Sequence, residues 1–171
     1  MTKNELSFQL NASVDSFVST FEVIPDDKLF VKQGEKWSAA ENLQHLILAV
    51  RPLVLAYALP GFALRLLFGK ANRPSRSYED LLTRYHVKLE AGGKASKPFQ
   101  PKPLKTDSNK TKLIENFRRM HYKLIGKIPH WPESKLDKYI LPHPLLGKLT
   151  LREMLYFTDF HIRHHEKAIK N

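Results

Sequence analysis

The chain predicts an all-α fold: an antiparallel four-helix bundle with a basic insertion between its second and third long helices, in one domain over residues 1–171. Apolar residues recur at helical spacing in several separate stretches, and two hydroxyl-x-x-Glu signatures mark helix starts. No run alternates with the period of two that a half-buried strand requires. With 42% hydrophobic and 26% charged positions, 171 residues are enough to enclose one core.

The first helix is expected over residues 4–24, where Leu6, Leu10, Val14, Phe17, Val18 and Phe21 share a face and Pro25-Asp26-Asp27 ends the run. The second begins at Ser38. In Ser38-Ala39-Ala40-Glu41 the hydroxyl accepts from an exposed backbone N–H while the carboxylate reaches back to the cap. This helix continues through His45 toward Leu59, with Pro52 as a kink and Pro60-Gly61 as its stop. Residues 62–106 read as a less regular insertion, with a short helix at 78–90 and an exposed loop broken by Gly92-Gly93, Pro98, Pro101 and Pro103.

The third long helix is placed over residues 108–128, with Leu113, Phe117, Met120, Leu124 and Ile128 on one face. Residues 129–149 hold four prolines and read as an extended crossover. Thr150-Leu151-Arg152-Glu153 is the second capping box and opens a last helix over 150–170.

The net charge of +11 is concentrated in the middle of the chain, where residues 60–130 carry 16 Lys and Arg against 5 Asp and Glu. Solvated lysines on an insertion account for this, and so does attraction of an anionic partner. Without cysteine there is no disulfide, thiolate ligand or thiol nucleophile, so any metal is held by nitrogen and oxygen, and thiol chemistry needs an external thiol. Residues 46–68 are apolar but interrupted by Arg51, Pro52, Pro60, Gly61 and Arg65. Only 13 residues separate the two arginines, against about 20 for a span, so no membrane span is expected. The first residues lack the apolar core of a secretory signal, and the expected location is cytoplasmic. No Gly-rich phosphate loop, Gly-x-Ser-x-Gly elbow or zinc-finger spacing occurs.

His161 and His165 stand four positions apart on the last helix, a spacing that turns two imidazoles to one side roughly 6 Å apart. On a helical projection His165 falls within the apolar stripe of Leu151, Leu155, Ile162 and Ile169, His161 lies beside Met154, and His164 points to the rim. Two readings stay open: separately hydrogen-bonded core histidines, or a pair sharing a metal that satisfies both rings at once. His45, far upstream, offers a third nitrogen. It lies off the stripe of Leu43, Ile47, Val50 and Val54, although Leu48 and Leu55 make its helix apolar on more than one side. Glu41 is an alternative oxygen ligand or an acceptor for the His45 ring. His86, His121, His130 and His143 occur singly in basic or proline-rich surroundings and are expected at the surface or in turns.

The run Lys36-Trp37-Ser38-Ala39-Ala40-Glu41-Asn42-Leu43-Gln44-His45-Leu46, followed by His143-Pro144-Leu145-Leu146-Gly147-Lys148-Leu149-Thr150 and the terminal histidine pair, resembles the DinB-like (DinB/YfiT) superfamily of metalloenzymes. The resemblance runs nearly end to end. It implies an up-down-down-up four-helix bundle, commonly a homodimer, with a divalent ion such as zinc or nickel on His45, His161 and His165. Characterised members include thiol transferases that use bacillithiol or mycothiol and a thiol-dependent maleylpyruvate isomerase. The expectation is a metal-dependent transferase acting on a small-molecule substrate with a low-molecular-weight thiol, and nucleic acid is not the favoured partner. The alternatives are a non-catalytic bundle or binding module whose basic segment docks on an anionic partner, or a member retaining only the fold. The chain departs from the family by its long basic insertion between Pro60 and about Asn109.

Overall fold

Thr2 opens the first helix with a capping box of its own, since its side chain accepts the Glu5 N–H and the Glu5 carboxylate accepts the Thr2 N–H. The computed structural model describes residues 1–32, 34–102, 104 and 109–170. It is mostly helical, with seven helices among the described residues. Helix α1 (Lys3–Glu22) buries the apolar face read from the sequence. Helix α2 (Ala39–Ala56) starts at the Ser38 cap with both bonds of its box formed, and carries Pro52 inside it. Helix α3 (Gly61–Phe68) follows Pro60, α4 (Tyr78–Glu90) matches the expected short helix, and α5 (Lys110–Ile125) is capped by Asn109. Ser108, where the sequence places that helix start, lies outside the described residues, as do Pro103 and Thr106.

After α5 come a single 3-10 turn (Ile128–His130) and the four-residue α6 (Glu133–Leu136). Strands β1 (Ile140–His143) and β2 (Gly147–Thr150) pair antiparallel, Ile140 opposite Thr150 and His143 opposite Gly147. Helix α7 (Leu151–Lys170) closes the chain from the Thr150 box, in which the Thr150 hydroxyl accepts the Glu153 N–H and the Glu153 carboxylate accepts the Thr150 N–H.

The mostly helical chain is consistent with the expected all-α fold, and the stretch read as an extended crossover adds a small two-stranded hairpin that the sequence reading did not include. Its strands are four residues long, with Ile140 and Leu141 buried opposite Thr150 and Leu149, too short for alternation to stand out in sequence. Gly147 sits at φ +73°, a left-handed conformation that favours glycine at the turn.

Helix α1 packs on α7 and α5, and α2 packs on α5 and α7, around a core that joins Phe17, Phe21 and Phe117 to Leu43, Leu46, Leu155 and Ile162. Phe17 and Phe117 stack across α1 and α5 with ring centroids 4.7 Å apart. Among the described residues no single helix is long and apolar enough to cross a membrane, and the apolar pair α2 and α3 bends by 114° across the break between Ala56 and Gly61.

The middle segment is not a plain solvated insertion. Helix α4 packs on α7, α3 packs on β1, and the 3-10 turn Lys97–Phe99 packs on α2. Arg73 and Arg76 both reach the fully buried carboxylate of Glu153 on α7, Arg73 through two bonds of 2.7 and 2.9 Å.

Candidate metal centre

Helix α2 contributes His45 and α7 contributes His161 and His165 to one buried point. The Nε2 atom of His161 lies 3.0 Å from Nε2 of His45 and 3.0 Å from Nε2 of His165. One nitrogen from each ring lies within 4.8 Å of the other two. A tetrahedral ion with metal–nitrogen bonds of about 2.0–2.1 Å sets its ligand nitrogens about 3.3 Å apart, close to the two 3.0 Å spacings around His161.

The outer edges of two rings define their protons. His45 donates Nδ1–H to the Phe99 carbonyl at 2.6 Å, and His165 donates Nδ1–H to the Asn42 side-chain oxygen at 2.6 Å. Each neutral ring carries one proton, so the Nε2 atoms of His45 and His165 are lone pairs aimed at the same place. His161 Nε2 can bring at most one proton to two such contacts. A shared cation satisfies all three nitrogens.

Burial pushes all three rings below the ordinary histidine value of 6.5, well below it for His161 and His165, where neighbouring imidazoles add to the effect. For His45 the Phe99 carbonyl opposes the shift without cancelling it. Neutral imidazole is the form that ligates metal. Trp37 covers the centre, its ring 4.8 Å from His45 and 6.1 Å from His165, and Phe157 stacks on His161 at 4.8 Å.

Glu41, the alternative ligand in the sequence reading, is engaged elsewhere: its carboxylate accepts the Ser38 N–H and pairs with Lys32 at 2.9 Å. The next residue, Asn42, orients His165 instead. The Phe99 carbonyl had no sequence signature, because a backbone acceptor has no residue type.

A cavity of about 270 Å³ adjoins His45 and His161, walled by Leu46, Val50, Leu53, Phe68, Leu141 and Ile162. His121 and His143 also line it, correcting their expected place in surface or turn positions. His121 is buried on α5 against Phe117, its ring centroid 4.2 Å away, and burial holds it at about 4. His143 does end a strand at the turn, but it faces the cavity and is likewise held by burial at about 4. Lys94 stands at the cavity edge with its side chain exposed.

Comparison with solved structures identifies a relative in the crystal structure of colibactin self-resistance protein ClbS in complex with a dsDNA. The similarity covers 99% of this chain and 93% of that chain at 15% identity, with a TM-score of 0.58, and extends to the fold. No curated protein matches this chain. The expectation that set nucleic acid aside is corrected by this finding, because a protein of the same fold is seen holding duplex DNA. The sequence profile of the DinB superfamily matches residues 9–169, nearly the whole chain. The chain therefore belongs to the DinB superfamily.

Proposed function

We propose that this protein is a divalent-metal-dependent enzyme that transfers a low-molecular-weight thiol to a small, largely apolar electrophile, with zinc or nickel held by His45, His161 and His165. The observation that carries the reading is the convergence of three Nε2 atoms beside an apolar cavity. The ring of packing among α1, α2, α5 and α7 supports a single four-helix-bundle domain as its scaffold.

A divalent ion in this centre supplies Lewis acidity, lowering the pKa of a thiol beside it toward neutrality. The chain's own residues do the rest. Asn42 and the Phe99 carbonyl hold two rings in the tautomer that presents Nε2. The apolar walls exclude water from the electrophile, and Trp37 and Phe157 restrict access to the triad. In the transfer the thiol S–H releases its proton to solvent, an S–C bond forms, and the leaving group departs with the bonding pair. With no cysteine in the chain, the sulfur comes from outside. The test is thiol consumption with a small alkylating electrophile in the presence of zinc. Turnover that disappears in His161→Ala supports the reading, and turnover equal to that variant's contradicts it.

A second reading is association with nucleic acid, favoured by the basic middle of the chain and by the duplex in the ClbS structure. Arg84, Lys88, Lys97 and Lys102 are all exposed on that segment. Binding of random-sequence duplex that weakens steeply with salt supports this reading, and no binding at low salt contradicts it.

A further inference from the structure

Two imidazoles of the cavity wall outside the triad are held in opposite tautomers by the backbone. His121 donates Nδ1–H to the Phe117 carbonyl one turn earlier on α5, at 2.9 Å, so its Nε2 carries a lone pair. His143 does the reverse. Its Nδ1 accepts the backbone N–H groups of Leu145 at 3.2 Å and Leu146 at 3.1 Å in the hairpin turn, and a nitrogen that accepts bears no proton. The His143 proton is therefore on Nε2. Both side chains line the same cavity, and among the described residues no protein group hydrogen-bonds either Nε2.

The geometry points to His121 and His143 as an acceptor and donor pair that selects the cavity's ligand: an apolar molecule with a carbonyl-type acceptor for His143 and a hydroxyl-type donor for His121. Aliphatic walls supply affinity without direction, and in an apolar pocket a few placed polar groups set orientation and specificity. An analogue lacking either polar group leaves one buried ring edge unpaired, the arrangement that discriminates most strongly. Phe157 lies between His143 and the triad, its ring centroid 4.3 Å from His143 and 4.8 Å from His161, so the donor stands one aromatic ring from the metal centre. Burial keeps His121 uncharged at neutral pH, which preserves its accepting role.

This inference deepens the proposed reading by naming its substrate class, and it rests on that reading only in calling the ligand a substrate. Its test does not depend on the cation. The full chain as purified is titrated by heteronuclear NMR with ethylbenzene, acetophenone and 4-ethylphenol, which carry respectively no polar group, an acceptor and a hydroxyl. His143→Phe is expected to weaken acetophenone about 3- to 10-fold and leave ethylbenzene within 2-fold, and His121→Phe to do the same to 4-ethylphenol. His143→Gln, which keeps a side-chain N–H, restores acetophenone. Ring-nitrogen spectra of the unmutated chain give a reading that does not depend on any variant folding. They are expected to show a protonated Nδ1 in His121 and a protonated Nε2 in His143, with both Nε2 resonances moving as the matching probe binds. Uniform weakening of all three probes, the opposite tautomers, or no binding of any probe by the unmutated chain overturns the inference, whereas failure to bind metal leaves it standing.

Discussion

Asn42 and His165, 123 positions apart, are joined by a hydrogen bond of 2.6 Å from the ring's Nδ1–H to the amide oxygen. That one contact ties the start of α2 to the far end of α7 and leaves the opposite ring nitrogen bare toward His161. The amide is itself anchored, donating to the Trp37 and Ser38 carbonyls at 3.0 and 2.9 Å.

Asn42→Leu is therefore expected to lower zinc affinity about 10- to 100-fold, the usual effect of removing the group that orients a ligating histidine. Asn42→Asp keeps the acceptor for the ring but sets a carboxylate against the Trp37 and Ser38 carbonyls to which the amide donates, so its loss is smaller than that of Asn42→Leu without vanishing. Competition against a chelating dye measures both, and equal losses in the two variants would show that the orienting bond is not what matters.

His121 predicts acid sensitivity. Burial lowers its value from 6.5 to about 4 in the folded chain, so between those values the unfolded chain binds the proton more readily. Above pH 6.5 neither state is protonated there and the group contributes nothing. As pH falls from 6.5 toward 4 it costs the folded state up to about 3 kcal/mol. Replacing it by a residue that cannot titrate, as in His121→Phe, flattens the stability profile by about that amount, read from urea unfolding at pH 7 and pH 4.5. An unchanged pH dependence would contradict the assignment.

Glu153 is fully buried and accepts two guanidinium bonds from Arg73, one from Arg76 at 3.2 Å, the Arg76 backbone N–H at 2.8 Å and the Thr150 N–H at 2.8 Å. Burial alone raises its pKa, but these partners outweigh it and keep the carboxylate below its ordinary value of 4.5. Glu153→Gln keeps the shape and removes the charge, leaving two partly exposed arginines without a counterion. The expected loss is about 2 kcal/mol, smaller than for a fully enclosed pair. Hydrogen exchange should show the 73–76 segment opening first, whereas a stability unchanged within error would mean the ion pairs are incidental.

If the basic segment docks on duplex DNA, binding falls with a linear slope in log affinity against log salt, and Lys97→Ala with Lys102→Ala reduces that slope. Fluorescence anisotropy with a random duplex measures it. A slope unchanged by the double substitution would place any contact elsewhere.

Local signals were legible in the sequence and distant ones were not. The Ser38 and Thr150 boxes set the starts of α2 and α7 because a capping box is complete within four residues. Thr2-Lys3-Asn4-Glu5 carries the same signal and extends α1 to Lys3, earlier than apolar periodicity alone suggests. The hairpin leaves no periodic signal in the sequence, because its two strands are four residues long and Pro142 lies inside one of them. His161 and His165 were readable as a pair from their spacing on one helix. His45 fell off its own apolar stripe, yet α2 packs against both α5 and α7 and buries it all the same. The solitary His121 and His143 looked peripheral because the residues enclosing them come from elements remote in sequence. Phe99, on a segment read as an exposed loop, supplies the His45 partner through its backbone, which no side-chain pattern encodes.

Calorimetric titration of the metal-stripped chain with zinc, run beside His161→Ala, tests the shared centre most directly. One zinc bound per unmutated chain, with that site lost in the variant, is the result predicted by the meeting of three Nε2 atoms around His161. An unmutated chain that takes up no stoichiometric zinc or nickel, or a variant that binds as well as its parent, would contradict it.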